Sequence, residues 1–239
     1  MATIELGDVT IHYEDVGKGP LPVIFCKTHA LGLRDIYKGE PEQWQADFGR
    51  AMNWDYRGMG QSSRATKYSL PLVASDLAHL MDKLEIEKAI IYGFLWGGIF
   101  AQEFALDYPE KCAALILDSS TPETNVTISE RRWQDSEKAK TDPEVPAEDR
   151  DYLVFAYRTI AGLREHPFTP RLKHITCPVL LLGGGKDALG GAAAAVIMSR
   201  NLPNCKLNII QEAGSVLIRE RPREVQKLAV EFCREQGVI

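Results

Sequence analysis

The chain has 239 residues, 45% hydrophobic and 26% charged, with a formal net charge of -5. That length supports one well-buried core, and the acidic balance gives no electrostatic footprint for nucleic acid or an anionic membrane. Cys26, Cys112, Cys177, Cys205 and Cys233 show no metal-finger or redox spacing, which argues against a disulfide framework and for a reducing compartment. No basic leader and no membrane-length apolar run is visible, so the expectation is a soluble, cytoplasmic protein.

Short apolar runs alternate with helical patterns, the signature of βαβ units and a parallel sheet. Residues 3–6 and 9–14 predict an opening hairpin around Gly7-Asp8, and 22–26 and 50–54 predict buried strands. Leu72, Leu77, Leu80, Met81 and Leu84 share one helical face. Residues 89–92 form a third buried strand ending at Gly93, and 98–108 a helix stopped before Pro109. Further strands fall at 113–117, 178–182 and 206–210, with a closing helix at 222–234. The stretch 121–169 breaks this rhythm with charge, Pro143 and Pro146, and two helical pieces at 129–140 and 149–163. It reads as a small helical cap inserted into a single domain spanning 1–239.

Four segments carry chemistry-bearing patterns in order. Asp55-Tyr56-Arg57-Gly58-Met59-Gly60-Gln61-Ser62 follows a strand. Gly93-Phe94-Leu95-Trp96-Gly97-Gly98 joins a strand to a helix, with glycines where a strained turn leaves no room for larger side chains. Gly184-Gly185-Lys186-Asp187 follows the run 177–182, and Ala213-Gly214-Ser215-Val216 precedes Glu220-Arg221-Pro222. Together these resemble the α/β-hydrolase family in its small esterase and lactonase-like branch. The resemblance covers the chain from about Pro22 onward. It implies a mostly parallel central sheet with helices on both faces, and a nucleophile turn, an acid loop and a base loop at 95, 187 and 215.

The sequence departs from that pattern at two of the three positions. Leu95 stands where the resemblance puts the nucleophile, and leucine cannot attack a carbonyl. Ser215 stands where it puts the general base, and a hydroxyl does not titrate near neutrality. Asp187 keeps the acid position, and Asp118 stands where some members place an alternative acid. Upstream, Lys27-Thr28 replaces the usual His-Gly, with His29-Ala30 as an alignment shifted by two. In the first alignment the backbone amides of His29 and Trp96 occupy the oxyanion-hole positions. Ser119 and Ser120 lie at the wrong turn to replace the nucleophile.

Three readings follow. A redesigned scaffold points to Lys27 at the carboxyl end of a central strand, among Thr28, Phe94, Leu95 and Trp96. Desolvation would favour its neutral amine, a Schiff-base nucleophile for retro-aldol carbon–carbon cleavage, with His29 or Ser215 handling protons. A catalytically inactive pseudohydrolase, natural in origin, would instead bind a small apolar carbonyl or ester-like ligand in a pocket lined by Leu95, Trp96 and cap residues such as Trp133. Residual ester hydrolysis, with Lys27 or His29 activating water, is the third. No cofactor motif, metal-ligand cluster or phosphate-binding loop is visible.

Overall fold

The computed structural model describes residues 2–28 and 40–239. Ala2–Leu6 (β1) and Val9–Gly17 (β2) form an antiparallel hairpin in which Leu6 pairs with Val9. Val23–Cys26 (β3) leads to the helix Glu40–Phe48 (α1), and Arg50–Trp54 (β4) to Leu70–Lys83 (α2). Ala89–Phe94 (β5), Trp96–Asp107 (α3) and Cys112–Asp118 (β6) follow. Between β6 and Val179–Gly184 (β7) lie Val126–Ala139 (α4) and Arg150–Gly162 (α5). Gly191–Ser199 (α6), Cys205–Ile210 (β8), Leu217–Glu220 (α7) and Pro222–Glu235 (α8) complete the described chain.

The strands form one eight-stranded sheet in the order β1-β2-β4-β3-β5-β6-β7-β8. Among the described residues only the β1–β2 and β2–β4 pairings are antiparallel. Helices cover both faces, so the central strands are apolar on both sides, as a parallel sheet requires. Alternation still sorts the side chains. Ile91, Leu115, Leu117 and Leu181 join a core beneath α2, α3 and α5. Ile90, Tyr92, Ile116 and Leu180 join a second core with Trp44 and Phe48 of α1 and Val225 and Ala229 of α8.

The sequence pattern located all eight strands within about two residues of their ends, except the second, which runs on to Gly17. It missed α1, whose Glu40-Pro41 opening masks a short helix that buries Trp44 and Phe48. It also missed α6, an alanine-rich run after Gly190-Gly191 with no polar face to give it a period. The helix α2 begins two residues earlier than its leucine stripe. Ser69 accepts a hydrogen bond from the Leu72 amide at 3.2 Å and Pro71 is tolerated in the first turn.

Candidate functional site

The turn after β5 is strained. Leu95 has φ 49° and ψ -115°, a backbone region that costs a branched side chain roughly 1–3 kcal/mol. It is held there from both sides. Its amide donates to the Asp118 carbonyl at 2.9 Å, and its carbonyl accepts from the Gly98 amide at 3.0 Å. Gly97 lets α3 press against the end of β3: a Cβ there would lie 1.9 Å from the Cys26 carbonyl oxygen. The turn is therefore built as a nucleophile elbow is, on a side chain with no nucleophilic atom.

The loops that carry Asp187 and Ser215 also meet. Asp187 accepts the amides of Leu189 at 2.8 Å and Gly191 at 3.0 Å, and the Ser215 hydroxyl donates to the same carboxylate. Glu220 explains the downstream motif. Its carboxylate takes the amides of Gly214 at 2.7 Å and Val216 at 3.2 Å, the residues on either side of Ser215. Leu95 and Val216 both pack, half-buried, against the same apolar cluster. Asp118 lies beneath at the end of β6, fully buried. Burial pushes its carboxyl up to about 7. The Tyr92 hydroxyl, donating at 2.6 Å, opposes that rise, while the charge of Asp187 adds to it.

Lys27 has different company from that expected. Its side chain is 12% exposed, but its ammonium donates to Asp55 at 2.8 Å instead of lying among apolar groups. His12 Nδ1 is 3.1 Å from the other Asp55 oxygen, which also accepts the Gln61 amide at 3.0 Å. Burial raises the Asp55 carboxyl, but Lys27, Gln61 and His12 together hold it below the usual carboxylate range. Sequence reading gave His12 no role. The signal lay in pairing, because Asp55 immediately follows β4 and its amide bonds the His12 carbonyl on β2. The rest of that loop is a clamp. Arg57 grips Asp76 of α2 through two 2.7 Å bonds, and the Ser62 hydroxyl donates to the Asp55 carbonyl at 2.6 Å.

The apolar lining expected around Lys27 and Leu95 is dispersed. Phe94 and Thr28 are buried. Trp96 points to the opposite core from Leu95, with its ring edge-on to Tyr56 at 5.5 Å and to Tyr152 of α5 at 6.0 Å. Trp133 is 53% exposed on α4, with the Arg158 guanidinium 4.8 Å above its ring, so it does not face the sheet. Ser119 and Ser120 are buried at the end of β6. His29 lies outside the described residues. A groove of about 760 Å³ lies between α5 and the approach to α2, lined by Tyr68, Phe155, Leu163, Phe168 and Arg171 and by none of the residues at the strained turn. Among the described residues no three His, Cys, Asp or Glu side chains converge as metal ligands. Among the described residues no helix is long and apolar enough to cross a membrane.

Comparison with known proteins agrees with this geometry. A family described as the alpha/beta hydrolase fold matches residues 54–151. A poly(3-hydroxyalkanoate) depolymerase of Ectopseudomonas oleovorans is 25% identical over 77% of this chain and 74% of its own length. A thermophilic esterase from Thermogutta terrifontis superposes with a TM-score of 0.75 at 26% identity, over 95% of this chain and 94% of the other. An alpha/beta hydrolase enzyme, MGS-M2, from a Medee basin deep-sea metagenome library superposes with a TM-score of 0.83 at 17% identity, over 97% and 96%. With its sheet order and these similarities, the chain has the α/β-hydrolase fold.

Proposed function

We propose that this protein binds a small apolar carbonyl or ester-like ligand on a hydrolase scaffold without turning it over by serine–histidine chemistry. The observation that carries the reading is the strained turn at Leu95. A residue held at φ 49° is costly, and the cost is retained although leucine offers no nucleophile. Ser215 supports the same reading: its hydroxyl satisfies Asp187, so the acid is occupied by a group that does not act as a base near neutrality. Hydrolytic relatives such as the esterase favour ester-like or carbonyl chemistry for the ligand.

Amine catalysis by Lys27 is the second reading. One observation favours it: the side chain is largely buried at the carboxyl end of β3. Against it stands the ion pair with Asp55, which engages the ammonium that imine formation needs as a free amine. Residual hydrolysis through Lys27 ranks below both, because the same ion pair removes it as an activator of water.

The test is a comparison of the wild type with the Leu95→Ser/Ser215→His double variant on short aryl esters and lactones. The expected result is background hydrolysis by the wild type, saturable competitive binding of an unreactive ketone analogue, and ester turnover gained by the double variant. Saturable ester turnover by the wild type overturns the binding reading. Borohydride trapping of an aromatic ketone on Lys27, located by peptide mass, would replace it with the amine catalyst.

A further inference from the structure

Two cysteines that are far apart in sequence meet at the end of the sheet away from the strained turn. Cys112 opens β6, and Cys177 lies two residues before β7. The two strands are parallel neighbours, with Leu115 opposite Val179, and the thiols lie 3.6 Å apart across 65 residues of chain. Their surroundings differ. Cys112 is buried and Cys177 partly exposed, and both lie in the wall of a surface groove of about 440 Å³ with Leu21, Lys88, Pro109 and Val238.

We infer that Cys112 and Cys177 form an exchange-active dithiol that a small disulfide, such as oxidised glutathione, converts to a protein disulfide at the amino-terminal ends of β6 and β7. The accessible Cys177 thiolate attacks one sulfur of the small disulfide, forming a mixed disulfide and releasing one thiolate. Cys112 loses its proton and attacks the Cys177 sulfur, and the second small thiolate leaves. Two protein thiols are oxidised, one small disulfide is reduced to two thiols, and two protons pass to solvent or to the released thiolates. The order of attack follows from access and acidity. Cys177 is held below the usual thiol range by the Cys112 thiol beside it, and Cys112 is pushed up by the same contact and by burial. A covalent bond needs the sulfurs at about 2.05 Å, so a short approach between neighbouring strand ends suffices. The link would close a covalent ring from β6 to the approach to β7, around α4 and α5.

Native protein is incubated at pH 8 in glutathione buffers of increasing oxidation, quenched with acid, alkylated after denaturation, and read by intact and peptide mass. The expected result is loss of two of the five thiols, a mass lower by about 2 Da for the disulfide form, and one linked peptide pair joining Cys112 to Cys177. In Cys112→Ser the reaction stops at a stable glutathione adduct on Cys177. In Cys177→Ser neither the linked pair nor an adduct on buried Cys112 forms. Five alkylatable thiols in the wild type after the most oxidising incubation, or links scattered among Cys26, Cys205 and Cys233, overturn the inference. The wild-type measurement decides the question even where a serine variant fails to fold.

Discussion

The loop after β4 and the turn after β5 flank the end of the same strand, β3, and they are built in opposite ways. In the loop, charge is paired throughout: Asp55 with Lys27 and His12, and Arg57 with Asp76 and Asp8. In the turn the backbone is strained and the side chain is aliphatic. Lys27 belongs to both, since its carbonyl abuts Gly97 of the turn while its ammonium serves the loop. The comparison teaches that a motif's geometry and its chemistry are held by different interactions. Close glycine packing and backbone hydrogen bonds keep the turn in shape, whatever side chain it displays.

The largest expected effect breaks the loop. Asp76→Ala leaves the Arg57 guanidinium, 1% exposed, without its bidentate partner, and should cost about 3–5 kcal/mol in urea denaturation. A loss below about 1 kcal/mol would mean that Asp8 alone suffices and that the loop is less dependent on pairing than described.

The next effect concerns the floor of the turn and depends on pH. Asp118 holds its proton up to about 7 in the folded protein but releases it near 3.8 when unfolded. Between those values the folded state binds more protons, so this group's contribution to stability is complete at low pH and is lost as pH rises toward 7. Asp118→Asn mimics the protonated acid. It should stabilise the protein at pH 8 relative to the wild type, by up to about 4 kcal/mol, with the difference vanishing near pH 4. Equal stability of the two proteins across that range would show that Asp118 is not the group that titrates.

The smallest effects separate shape from side chain within the turn. Gly97→Ala should cost about 3 kcal/mol, because its Cβ would meet the Cys26 carbonyl. Leu95→Gly relieves the positive φ while losing only a half-buried side chain, and should stay within about 1 kcal/mol of the wild type. Thermal unfolding of the pair checks this contrast. A Leu95→Gly loss as large as that of Gly97→Ala would place the turn's stability in leucine packing instead of the backbone.

Sequence periodicity determined most of the fold by itself. Each buried strand is a short apolar run, and local patterning suffices to find one. The Gly93–Gly98 turn was legible for a related reason, because close backbone approach restricts Gly97 to glycine. Tertiary structure alone decided the company that side chains keep. The Lys27 ammonium reaches Asp55, Trp96 and Leu95 point into opposite cores, Trp133 turns outward, and Cys112 meets Cys177 across 65 residues. Ion pairs, stacked rings and thiol contacts depend on which strand ends the sheet order brings together. That order joins residues whose separation along the chain carries no periodic signal.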